Sequence, residues 1–262
     1  MTMVTVLMTH YNAPDYLGAA VASVLNQSFR DLELWLLDDA SPNGRWREVL
    51  EPYRSDSRLR LFRATRNVGT YRLKNAAIRA GETALVAFHD ADDISHPRRL
   101  ALQVAAARKG RAAIVGSSFL TMDAGGKVDG ARFLPPIANP FLRLGKSYCC
   151  LHPTTLVARE VFDLIGGFDE STRFGADSDF FYRAHHRFRI RNLVRPLYRY
   201  RRHEDSLSGA EDTGHGSPAR AAYWATVKAR EAERRWAVAR GTAPDLSAPT
   251  LPMDFQLQEL VD

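Results

Sequence analysis

Short apolar runs alternate with longer stretches of helical periodicity through the first 120 residues, and this alternation constrains the chain more than any other feature. It calls for a mostly parallel sheet wrapped by helices, because parallel strands need long crossovers to bring the chain back to the same end. Residues 4–9, 32–37, 59–63, 85–89 and 113–117 are the expected strands. Between the first two, Leu17, Ala20, Val21, Val24 and Leu25 share one helical face, and Pro14 suits a first helical turn. The fold class expected is α/β.

In such sheets ligands bind beyond the carboxyl ends of the strands. The residues directly after the strands are Thr9-His10-Tyr11-Asn12, Asp38-Asp39-Ala40-Ser41, Asn67-Val68-Gly69 and Asp90-Ala91-Asp92-Asp93. Four polar clusters at one sheet edge define a nucleotide-sized cleft, although neither kind of Gly-rich phosphate loop is present. In Phe88-His89-Asp90-Ala91-Asp92-Asp93 an apolar strand runs straight into three carboxylates. That density of negative charge costs stability unless a cation or several donors offset it. Mg²⁺ or Mn²⁺ meets the need, taking oxygen ligands while leaving positions for phosphate oxygens. Asp38 and Asp39 can act as a second metal pair, as a helix cap, or as acceptors for the N–H groups of a base. Arg72 and Lys74, after Gly69, are either phosphate or base contacts or ordinary helix-surface cations.

The second half is less regular, broken by Pro135-Pro136, Pro140 and Pro153. It reads as the acceptor side, with a strand over 154–158, a turn at Gly166-Gly167-Phe168-Asp169, a helix from about 178 to 187 and a strand around 187–191. Asp177 precedes the helix, as a cap or as a carboxylate facing the acceptor. A basic helix over 217–240, with six Lys/Arg against two Glu, ends before Gly241, and an extended tail follows with a docking segment around Phe255 and Leu257. The expected organisation is a domain over 1–215, with a nucleotide-sugar half (1–93) and an acceptor half (94–215), and a C-terminal helix and tail over 216–262.

Composition removes several classes. No window approaches the ~18 to 20 consecutive apolar residues of a membrane span, and the N-terminal stretch reads as a core strand rather than a signal peptide. A cytoplasmic location is expected. Cys149 and Cys150 are adjacent, a spacing that suits neither a mutual disulfide nor a metal site. The net charge of +6 is Arg-heavy and scattered, without a nucleic-acid motif, so a solvated face or a peripheral anionic-membrane contact is expected and nucleic acid is not.

Taken together, Thr9 to Asn12, Asp38 to Ser41, Asn67-Val68-Gly69 with Asn75, Asp90 to Asp93 before Pro97, Gly166 to Asp169 and Ala176 to Asp179 resemble the motifs of family 2 glycosyltransferases of the GT-A fold, in the family's order over about residues 3 to 208. The resemblance implies an inverting transfer from a nucleotide-sugar, a UDP-sugar favoured, to a hydroxyl on a sugar, lipid-linked or small-molecule acceptor. It makes Asp92 the principal ligand of Mn²⁺ or Mg²⁺ with Asp90 beside it, puts Thr9, Tyr11 and Asp39 on the nucleobase, and makes Asp177 the catalytic base. Asn12, Asn67, Gly69, Arg72, Lys74 and Ala91 complete the expected nucleotide contacts. His203 is similar to a late histidine that approaches the metal or diphosphate in some GT-A enzymes, and it reads equally well as a surface residue. The family usually has Glu where this chain has Ala176. A sugar-phosphate nucleotidyltransferase and an inactive GT-A scaffold are the alternatives, and a homodimer is compatible with the sequence.

Overall fold

A computed structural model describes residues 2–110, 112–204, 206, 209–214 and 216–260. Its strands are β1 (Val4–His10), β2 (Leu32–Asp38), β3 (Leu59–Ala64), β4 (Leu85–Asp90), β5 (Ile94–Ser95), β6 (Ile114–Met122), β7 (Val128–Arg132), β8 (Leu156–Ala158), β9 (Ile190–Arg201) and β10 (Leu257–Glu259). Helices are α1 (Pro14–Leu25), α2 (Arg45–Leu50), α3 (Thr70–Ala80), α4 (Arg99–Gly110), α5 (Asn139–Arg143), α6 (Arg159–Ile165), α7 (Ala176–Ala184) and α8 (Pro218–Ala239). Among the described residues the strands form one sheet in the order β10-β3-β2-β1-β4-β8-β6-β9-β5, with β7 alongside β6. β1 pairs in parallel with β2 and β4, β2 with β3, and β6 with β9, whereas β8, β10, β5 and β7 are antiparallel to their neighbours.

The central strands are apolar along nearly their whole length because both faces are covered. One core gathers Val6, Met8, Leu34, Leu36 and the α1 stripe of Leu17, Val21 and Val24; the other gathers Leu7, Leu37, Phe88, Phe168 and Phe180. Thr9 pairs with Asp90 across β1 and β4, and His10 with Asp38 across β1 and β2. The carboxyl ends of these strands therefore meet at one rim.

Several boundaries differ from expectation. The strand expected over 113–117 continues to Met122, since past Ser117 it still pairs with β9 and turns into a hairpin with β7. His152–Thr154 is a 3₁₀ turn, so the next strand starts only at Leu156. The helix expected over 178–187 begins earlier, at Ala176, and stops at Ala184. Arg187 and Arg189 stay exposed outside β9, which starts at Ile190 opposite Ile114. The basic helix has the expected ends: Ser217 Oγ accepts the Arg220 N–H, and Gly241 adopts a left-handed φ of 75°.

The C-terminal segment is built into the same core. β10 pairs with β3, Phe255 is buried, and Val227 of α8 packs into the larger cluster. Asp179 locks α8 onto α7: the fully buried carboxylate accepts Arg183 Nε at 2.7 Å and both terminal nitrogens of Arg234 at 3.2 Å. Asp179→Ala leaves two buried guanidinium groups without their carboxylate. A loss of about 3–5 kcal/mol in unfolding free energy is expected from denaturant titration, and a loss under ~1 kcal/mol would assign the anchoring to apolar contacts alone.

Candidate active site

At the carboxyl end of β2, Asp39 organises the turn that leads into α3. Its Oδ1 accepts the Val68 N–H at 2.7 Å, and its Oδ2 accepts the Gly69 N–H at 2.8 Å and Asn67 Nδ2 at 3.0 Å. Burial raises the Asp39 carboxyl, opposed by those N–H donors and by Arg173. Arg173 donates to Asn67 Oδ1 at 2.6 Å and lies over Gly69, whose φ of 89° starts the turn. Thr9 Oγ1 is 2.8 Å from Thr70 Oγ1, which ties β1 to the same turn. Asn12 and Ala40 hold left-handed φ values of 46° and 58° although neither is glycine, and the Asn12 N–H donates to Ser41 Oγ. Such backbone strain clusters where loops are held for function. Tyr11 is 51% exposed beside them, an aromatic face open to a base. Asp38 is spent locally: fully buried, it accepts the Ser41 N–H and pairs with Arg63. Neither Asp38 nor Asp39 caps α2, which starts after Gly44.

The acidic cluster stands on buried cations. Lys74 of α3, 2% exposed, puts Nζ 3.7 Å from Asp90 Oδ1. Burial lowers the Lys74 ammonium pKa, while Asp90 and Asp177 oppose the change. Arg99, fully buried below, donates to Phe88 O and Pro153 O, and burial pulls its pKa down to about 10. Asp90 is raised by desolvation and, against the pull of Lys74, by Asp92 and Asp177. Asp93 is fully buried and accepts the Arg201 N–H at 2.6 Å, fastening β4 to β9; burial, then Asp92 and Asp90, push it well above the carboxylate range. It is a structural carboxylate. Toward the opening, Asp92 Oδ2 lies 2.8 Å from His203 Nε2, and His203 packs on Tyr16. Four carboxylates, Asp90, Asp92, Asp93 and Asp177, meet three buried cations here, Lys74, Arg99 and Arg201, whose Nε donates to Asp92 O at 2.7 Å, and an imidazole nitrogen sits beside the outermost carboxylate. The oxygen donors of Asp90 and Asp92 suit Mn²⁺ or Mg²⁺, and the His203 nitrogen beside Asp92 suits Mn²⁺ of the two. Among the described residues, however, only His185, His186 and Glu231 bring three ligand atoms within 4.8 Å of one another, so Asp90, Asp92 and His203 are not gathered into a closed site.

Asp177 is in the first turn of α7, after Gly175 in the left-handed conformation. The cap position is Gly175, so Asp177 is not the cap; Tyr71 Oη donates to its Oδ1 at 3.2 Å. Ala176 is fully buried. Asp177 acts electrostatically on Asp90, Lys74 and Cys150, so the acceptor half reaches the acid cluster. Asn75 fixes this approach: its amide donates to Phe168 O and accepts the Phe168 N–H. A Cβ on Gly167 would come within 2.0 Å of Asn75 Oδ1, which is why that turn needs glycine.

Arg72 is the main departure from expectation. Its guanidinium turns away from the cleft and donates to Pro252 O and Asp254 of the C-terminal tail, because α3 presents Lys74 and Tyr71 to the site and Arg72 to the tail. Tyr71, Arg99, Arg173 and Arg201 went unnoticed in the sequence. Of these, Tyr71 alone carried a signal, two residues beyond Gly69. Among the described residues, one further group with metal-ligand chemistry, His185, His186 and Glu231, lies where α8 meets the end of α7 opposite to the end that carries Asp177.

The family profile described as Glycosyl transferase family 2 matches residues 5–166, and the chain belongs to that family. It is a glycosyltransferase, and the nucleotidyltransferase alternative is set aside. EpsE of Bacillus subtilis (strain 168), which carries a glycosyltransferase description, is 32% identical over 211 residues, 78% of this chain and 74% of that protein. Among solved structures, S. aureus TarS 1-349 in complex with UDP-GlcNAc superposes with a TM-score of 0.67 at 19% identity, covering 91% of this chain and 74% of TarS. The mannosyltransferase PcManGT from Pyrobaculum calidifontis, in complex with GDP-Man and Mn²⁺, gives 0.57 at 18% identity, covering 92% of this chain and 64% of that one.

Lys74 is the nearest counter-charge to Asp90, and removing it deepens the negative potential that attracts a divalent ion. Lys74→Gln is therefore expected to lower the melting temperature without metal and to show a larger upward shift than the parent on adding Mn²⁺. Thermal melts with and without Mn²⁺ read this, and an equal or smaller shift would mean that Lys74 does not compete with the ion.

Proposed function

We propose that this chain is a metal-dependent, inverting glycosyltransferase that uses a nucleotide-diphosphate sugar, a UDP-sugar first, and a hydroxyl-bearing acceptor. One observation carries the reading: Asp177, which accepts from Tyr71, lies near enough to Asp90 and the buried Lys74 to act on both charges. The cleft thus has a cation-binding side and an opposed carboxylate, as a single displacement at an anomeric carbon requires.

In this reading Tyr11 stacks on the base, and Thr9, Asn12 and the turn built on Asp39, Asn67 and Gly69 surround the nucleoside. Asp39 already accepts three donors, so it acts mainly by fixing that turn and spends its remaining lone pairs on base N–H groups. Asp90 and Ala91 line the ribose and diphosphate. A divalent ion bound to Asp90, Asp92 and His203 would supply Lewis-acid stabilisation of charge growing on the leaving diphosphate. Asp177 takes the proton of the acceptor hydroxyl as its oxygen bonds to the anomeric carbon. The bond from that carbon to the diphosphate breaks, its electron pair leaves with the nucleoside diphosphate, and the configuration inverts.

The two acidic positions then separate in their effects. Asp92→Ala is expected to abolish Mn²⁺-dependent UDP binding by isothermal titration, whereas Asp177→Asn keeps UDP affinity and lowers turnover by roughly 100-fold or more. A screen of UDP-, GDP- and TDP-sugars, read by release of the free nucleotide with simple sugar acceptors, identifies the donor. Equal loss of UDP affinity in both variants would contradict this division of roles.

A further inference from the structure

Residues 133–148 connect β7 toward β8, rooted in the core by Ala138 and Leu142 and pinned near both ends by one side chain. Asn192 Nδ2 donates to Pro135 O and to Cys149 O, each at 2.8 Å. Leu134, Ala138 and Leu142 are buried, the last two in the core, but the other apolar side chains are not: Phe133, Leu144 and Tyr148 are 67%, 71% and 76% exposed, with Tyr148 stacked on Trp224 of α8, and Ile137 and Phe141 are also exposed. Isolated exposed apolar residues are ordinary, but a concentration in one short segment is not. Charge follows the same surface. From 130 to 159 the sequence contains no Asp or Glu, while Arg132, Arg143 and Lys146 stand in solvent. Arg143 also lines an open groove of about 430 Å³ together with Arg187 and Arg189, and 180–203 again lacks any carboxylate. α8 joins this face through Arg235, which donates to Arg143 O at 3.1 Å, bringing up Trp236 with the Arg240 guanidinium over its ring.

We propose that the exposed apolar side chains of the 133–148 segment and the cationic groove beside it dock this enzyme onto an anionic phospholipid bilayer. Aromatic and aliphatic tips ringed by Arg and Lys suit the depth at which acyl chains give way to headgroups, and the basic residues meet the negative surface potential there. Charge complementarity selects this occupant. A two-fold contact with a second copy would set the same basic strip against itself. The inference does not depend on the donor, the metal or the base.

Cosedimentation of the full chain with vesicles of equimolar phosphatidylglycerol and phosphatidylcholine, against phosphatidylcholine alone, tests it without turnover. Strong binding to the anionic vesicles only, weakened by salt, is expected. Phe133→Ser with Leu144→Ser, and separately Arg143→Gln with Arg187→Gln, should each lower that partitioning by roughly tenfold while melting curves and nucleotide release in solution stay unchanged. The proposal fails if the chain ignores both vesicles, binds both equally, or keeps its partitioning in both variants. It also fails if light scattering shows a dimer that the apolar variant disperses, which would assign the face to a second copy.

Discussion

The site is organised around an excess of negative charge held at the carboxyl ends of β1 and β4. Asp90, Asp92, Asp93 and Asp177 converge on a region where Lys74, Arg99 and Arg201 are buried cations. Like charges at this density are tolerated only where something offsets them. Much of the neighbouring architecture does so: α3 delivers Lys74, α4 delivers Arg99, and β9 delivers the Arg201 N–H to Asp93. What remains uncompensated faces the opening, where a divalent ion would complete the balance.

That arrangement also divides labour between the halves of the molecule. In the N-terminal half, proposed as the nucleotide side, Asp39 uses its carboxylate to fix the turn ahead of α3. The other half is brought up by Asn75 gripping the Gly167–Phe168 turn and by α7, whose first turn carries Asp177. Asp179, two residues on, spends its charge on Arg183 and Arg234. Neighbouring acids on one helix thus have opposite purposes: Asp177 is half-buried and turned to the cleft, while Asp179 is sealed in the core.

The legible parts were those with a local cause. Strand positions and the α1 stripe followed from hydrophobic period, and the ends of α8 from Ser217 and Gly241. The four strand-end clusters followed from the strand positions, and the role expected of Asp177 came from family resemblance. Boundaries slipped where long-range pairing decided them, as in β6, which extends because β9 and β7 border it.

The sequence by itself determined the parallel strands β1 to β4 and the acidic cluster, because period-3.6 patterns, apolar runs and runs of carboxylates are properties of neighbours along the chain. Only the tertiary structure decided what each charged group does. Arg72 and Lys74 are two residues apart on one helix, yet the first holds the tail and the second lies beneath Asp90. Asp92 and Asp93 are adjacent, yet one faces His203 at the opening and the other is buried against β9. Such roles depend on which way a side chain points and on what distant segments bring to meet it. Contacts between residues a hundred positions apart leave no trace in local pattern, which is why Tyr71 meeting Asp177 became visible only once the chain was folded.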